Sequence, residues 1–123
     1  MQYLDTIRFP GVPAPKGEQT HEPYIGHEET AVYGFACGNA KIASDYRKLL
    51  QSEGFEQKDE CRFADSTFIV YQKDDTILHT AHYPAVQALK IVATRGEKYA
   101  VYTPDQGERF WTPSITQIGR KGA

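Results

Sequence analysis

Cysteine is scarce in this sequence: Cys37 and Cys61 are the two in 123 residues. Two are too few for the disulfide framework of a small secreted domain, and neither has a His or Cys neighbour at metal-ligand spacing. Both are read as reduced packing residues, because free cysteine behaves as a small buried hydrophobe. Positive charge is not concentrated anywhere. Fourteen Lys and Arg stand against sixteen Asp and Glu, a formal charge of −2, and no basic block is longer than the Arg120-Lys121 pair. Phosphate-driven binding needs clustered cations, so no nucleic-acid partner is expected. Long apolar runs are lacking as well, and the first seven residues include Asp5. The expectation is a soluble, cytoplasmic chain with no signal peptide and no membrane contact. The motifs of common enzyme classes are missing too: no Gly-x-Ser-x-Gly, no phosphate loop and no Gly-x-Gly-x-x-Gly.

What is present is one well-punctuated unit at residues 30–55. Residues 30–37 alternate, with Tyr33, Phe35 and Cys37 on one side and Val32, Gly34 and Ala36 on the other. Asn39 is placed to cap a helix over 40–53, and Ile42, Tyr46, Leu49 and Leu50 fall on one helical face. Gly54 sits where a left-handed residue ends a helix, and Phe55 is the apolar partner of that stop. A fourteen-residue helix is about 21 Å long and a seven-residue strand about 23 Å, so the two match in length. The small side chains of Val32, Gly34 and Ala36 are expected to face the helix and let it approach closely.

The remaining segments read as an antiparallel meander. Residues 55–63 are polar with a loose period of two, suiting an exposed strand. Strong strands follow at 67–73, Thr76–Tyr83 and 88–94, joined by turns at 64–66, 74–75 and 84–87. Short turns make these strands antiparallel neighbours. The fold class is therefore α+β: a single antiparallel-rich sheet, β-α-β-β-β-β, with one helix packed on one face. Residues 1–29 hold four of the seven prolines, Pro10, Pro13, Pro15 and Pro23, and read as an extended leader. Leu4, Ile7, Phe9, Tyr24 and Ile25 give that leader the means to dock. Residues 30–103 form the α+β domain, with a short strand or linker at 99–102. Residues 104–123 read as a linker and the first strand of a truncated following domain.

Little in this pattern nominates chemistry. His79 and His82 are three apart on a strand, so they point to opposite faces and cannot share one metal. His21 and His27 lie in the leader without two further zinc ligands. The acid pairs at 28–29, 59–60 and 74–75 are adjacent in sequence and suit solvated turns or an exposed strand. Paired-carboxylate catalysis needs two groups in different environments facing one substrate. No catalytic residue, cofactor or metal site is nominated. Fifteen aromatics, eight of them tyrosine, are enough to build a binding face; the candidates are Tyr33, Phe35, Phe68, Tyr71 and Tyr83 on strands, with Trp111 beyond them.

Residues 112–123 resemble the first strand of the hydrolase domain in a group of bacterial metallo-β-lactamase-fold proteins, in which a small domain precedes the catalytic one. That small domain's strand, helix ending in Gly-Phe, and meander are similar to residues 33–34, 46–55, 68–71 and 89–92. The resemblance implies a non-catalytic accessory domain, cut a few residues into the hydrolase domain. Its partner would be the downstream domain of the same polypeptide or a second copy of the chain. The hydrolase's His-x-His-x-Asp-His motif has no counterpart here, so no ligand or catalytic role carries over. The alternative is a free-standing module binding a peptide, glycan or protein through the aromatic sheet face. A small hydrolase acting through His79 or His82 is third.

Overall fold

A computed structural model describes residues 2–5, 7–20, 22–25 and 30–96. The helix α1, Ala40–Ser52, forms where the punctuation puts it. Asn39 is extended (φ −154°, ψ 162°), and its side-chain oxygen accepts from the Ile42 N–H at 3.2 Å, satisfying one of the donors a first helical turn leaves open. At the other end Gly54 takes φ +97°. The Phe55 N–H then donates to the Leu50 carbonyl at 3.0 Å and the Gly54 N–H to that of Gln51 at 3.1 Å. This reciprocal pair closes the helix and carries Phe55 into the core beside Leu50.

The main sheet contains β3 (Tyr24–Ile25), β4 (Ala31–Ala36), β5 (Glu56–Phe63), β6 (Ser66–Lys73), β7 (Thr76–Tyr83) and β8 (Ala88–Arg95). Their spatial order is β3-β4-β8-β7-β6-β5, every neighbouring pair antiparallel. The fold is therefore α+β, with β4 and the meander β5–β8 as expected and β8 returning to lie against β4. Ala64 and Asp74 hold left-handed conformations at the two tight turns, with φ of 57° and 55°. A short 3-10 turn at Pro84–Val86, ended by Gln87 at φ 53°, joins β7 to β8.

Residues 2–25 depart from the expected leader. β1 (Tyr3–Asp5) and β2 (Phe9–Pro13) form a second, two-stranded sheet. Phe9 and Val12 are each 1% exposed and join the core on the α1 side. Prolines are tolerated because a two-stranded ribbon leaves many N–H groups without a ladder partner. The Tyr33 hydroxyl donates to Asp5 Oδ2 at 3.0 Å and the Tyr46 hydroxyl to the Pro13 carbonyl at 2.8 Å, fastening ribbon to sheet and helix. Farther on, the chain runs along the free edge of β4: the Thr20 N–H donates to the Gly34 carbonyl at 2.9 Å and the Ala36 N–H to that of Glu18 at 2.8 Å. Gly17 (φ +126°) permits this approach, since a β-carbon there would collide with the Ala36 carbonyl. Of the apolar residues expected to dock, Ile7 and Ile25 stay exposed.

The helix also lies on the other side of β4 from the expected one. Tyr33, Phe35 and Cys37, not the small side chains, face Tyr46 and Leu50. Burying two aromatics removes far more apolar surface from water than burying Val32 and Ala36, and that gain decides the side. Val32 joins Cys61, Phe68, Val70, Ile77, Ala81 and Val92 in a second buried layer on the opposite face. Residues 97–123 lie outside the described residues, and with them the short strand expected at 99–102, the expected linker and strand at 104–123, and Trp111.

Candidate functional site, a hollow between the helix and strands β5 to β7

Cross-strand register sorts the α1 face of the sheet into rows. One row reads Arg62, Thr67, His82, Leu89, Phe35 across β5, β6, β7, β8 and β4; the next reads Glu60, Ile69, Thr80, Ile91, Tyr33. Each row is apolar under β4 and β8 and turns polar toward β5. The helix and the N-terminal ribbon cover the apolar half. Beside the helix, over the polar half, a hollow of about 170 Å³ remains.

Its floor is Ile69, Tyr71 and Leu89, and α1 contributes Ala43, Ser44 and Arg47 to the wall. Positions 43 and 47 are one helical turn apart and so share a face. Opposite stand Glu60 and Arg62 of β5, which are two apart and share a face of their strand. Glu60 is held by the Gln57 side-chain N–H at 3.1 Å and lies 3.8 Å from the Arg62 Nε. Arg47 makes no ion pair among the described residues. Burial pushes the Tyr71 hydroxyl up to about 12, with Arg47 opposing the shift and Glu60 adding to it. That phenol is therefore a donor at neutral pH and lies within the field of both charged side chains. Burial lowers the His82 pKa against the opposing pull of Asp65, so its ring is mainly neutral near pH 7. Thr80 is engaged with the Ile69 carbonyl at 2.9 Å.

Chemically the hollow offers donors over an apolar floor. The side chains of Ser44 and His82 make no hydrogen bond among the described residues, so neither forms the relay that hydroxyl nucleophiles need. His79 sits on the other face of β7, 4% exposed, opposite Val70 and Val92, and burial pushes its pKa down to about 4. Cys37 and Cys61 are free and buried in different layers, and burial pushes both thiols up. Among the described residues, no group of three His, Cys, Asp or Glu side chains could hold a metal ion. Among the same residues, no helix is long and apolar enough to cross a membrane.

The aromatic residues read as one interaction face are divided by the sheet. Tyr33 and Phe35 are buried beneath α1, and Tyr71 floors the hollow. Phe68 and Tyr83 pack edge to face on the opposite side, ring centroids 5.8 Å apart. Alternation along β6 puts Phe68 and Tyr71, three apart, on opposite faces, and the same rule separates His79 from His82. The residues missed from sequence are Ser44, Arg47, Glu60, Arg62 and Thr67. A period of two does place Glu60 with Arg62, and a helical turn places Ala43 with Arg47, but only the register β5-β6-β7 brings the two sets together. A wider cleft of about 430 Å³ runs on the other side of α1, past Pro15, Lys16, Ile42 and Leu49. Lys16 and Lys48 line it as well, Asp45 pairs with Lys41 at 2.7 Å, and the Ser52 hydroxyl donates to the Leu49 carbonyl at 2.7 Å. Comparison of the chain with protein-family models, curated proteins and solved structures finds no match.

Proposed function

We propose that this chain is a non-catalytic ligand-binding module, with the hollow between α1 and strands β5 to β7 as its binding place. The observation that carries this reading is the convergence of donors from α1, β5 and β6 on a buried apolar floor, the arrangement small-molecule sites share. The groups most suited to covalent chemistry, Cys37, Cys61 and His79, are meanwhile held inside apolar layers. The aromatic sheet face gives way to the hollow as the recognition surface, because its residues divide between two faces. The narrower form of a non-catalytic role, an accessory domain beside a metallo-β-lactamase-fold hydrolase, rests on the sequence resemblance of residues 33–34, 46–55, 68–71, 89–92 and 112–123, and no family model, curated protein or solved structure that matches the chain adds support to it.

The test is an amide-detected NMR screen with a mixture of small acidic, basic and neutral fragments, run on the native chain and on Ser44→Trp. Ser44 is exposed on the helix, so an indole there blocks the hollow without entering the core. The reading expects shifts at residues 43–47, 60–62, 67–71 and 80–82 that vanish in Ser44→Trp while the protein stays folded. Fragments that bind equally well to the variant would overturn it.

A further inference from the structure

We infer that the ligand of this hollow is a small carboxylate bearing a short apolar tail, an inference that rests on the binding-module reading. Two guanidinium groups, Arg47 on α1 and Arg62 on β5, stand at the hollow. A planar guanidinium matches the two oxygens of a carboxylate with parallel, charge-assisted hydrogen bonds; a neutral ligand lacks the charge that strengthens them and a cationic one is repelled. Among the described residues, Glu60 is the one acid lining the hollow. It is engaged by the Gln57 amide at 3.1 Å and by the Arg62 Nε at 3.8 Å, which leaves the two terminal nitrogens of Arg62 for a ligand. Asp65 acts on His82 but is not among the described residues that line the hollow. The balance at the rim thus favours an anion.

Size and floor restrict that anion further. A volume of about 170 Å³ equals the liquid share of about five or six waters, enough for an acid of about six heavy atoms. A bare inorganic anion would leave Ile69, Leu89 and the Ala43 methyl wetted, whereas a two- or three-carbon tail removes them from water. The Tyr71 hydroxyl adds a donor at the floor. Butyrate has this shape, and butanamide and inorganic phosphate each lack one half of it.

The experiment titrates the full chain at pH 7 and fixed ionic strength with butyrate, butanamide and phosphate, following amide shifts, and repeats the butyrate series on Arg47→Gln and Arg62→Gln. Both arginines are exposed, so the variants fold. Butyrate is expected to move the amides around the hollow and to bind at least about tenfold more tightly than butanamide or phosphate. Each glutamine variant should weaken butyrate about tenfold or more, the scale of one hydrogen bond to a charged group. Lysine at either position should restore part of the loss. Butanamide binding the hollow as tightly as butyrate would overturn the carboxylate inference while leaving the binding place intact. Phosphate as tight as butyrate would overturn the apolar tail. Absence of shifts around the hollow with all three, together with an empty fragment screen, would overturn both readings.

Discussion

Acid should weaken this protein through His79 before it weakens it through most carboxylates. The ring lies between Val70 and Val92 of the flanking strands, is 4% exposed, and burial lowers its pKa from 6.5 to about 4. In the unfolded chain the ring takes up a proton near pH 6.5; in the folded chain it resists until about pH 4. The unfolded state therefore binds more protons throughout that window, and stability falls as pH falls. Each tenfold difference in proton affinity between the two states is worth about 1.4 kcal/mol. The full loss is then roughly 3 kcal/mol by pH 4, of which about 2 kcal/mol has gone by pH 5. For a domain of this size 2 kcal/mol corresponds to a Tm lower by roughly 6–10 °C. The assay is urea unfolding of the native chain and His79→Leu at pH 7.5 and pH 5.0. Other titrating groups are common to both proteins and cancel in the comparison. The native chain should lose about 2 kcal/mol more than the variant between the two pH values. Equal losses would refute the buried, neutral imidazole.

Three further outcomes follow from the fold. Leu50, 0% exposed beneath Phe55 and Tyr33, should cost about 2–5 kcal/mol on change to Ala, read by chemical denaturation. Gly54→Ala forces a Cβ into a residue at φ +97° and should cost about 1–2 kcal/mol, whereas Gly38→Ala, with open space around the Cβ, should cost less than half of that. For Asp5, burial raises the pKa, but the Arg8 and Ile7 N–H groups, the Arg8 guanidinium and the Tyr33 hydroxyl overcome it and hold the carboxyl at about 2. The stability this pairing contributes is present above pH 4 and is lost as pH falls through about 2. Tyr33→Phe should raise the Asp5 midpoint in a carboxyl-carbon NMR titration, and an unchanged midpoint would refute the contact.

The parts of the fold governed by local chemistry were legible in the sequence. Asn39, Gly54 and Phe55 mark the helix because capping depends on side chains within a few residues, and Thr76–Tyr83 stands where its β-branched run and flanking turns put it. The side of β4 that α1 covers was not legible. Small residues and aromatic residues each make a physically sound helix-facing surface, and the choice depends on the whole sheet's apolar area. The N-terminal ribbon was obscured for a related reason: its prolines deny a regular ladder, yet Phe9 and Val12 repay burial once the core exists. The hollow was the least legible feature. Arg62, Thr67 and His82 share a row only after two turns fix the register, and Arg47 joins them only after the helix has docked.

The most direct measurement is a crystal structure of the chain soaked in butyrate. A carboxylate bound between Arg47 and Arg62, its tail on Ile69 and Leu89, is the predicted result. Density for butyrate confined to the cleft beside Pro15 and Lys16, or to any surface away from α1 and β5, would contradict the assignment of the hollow as the binding place.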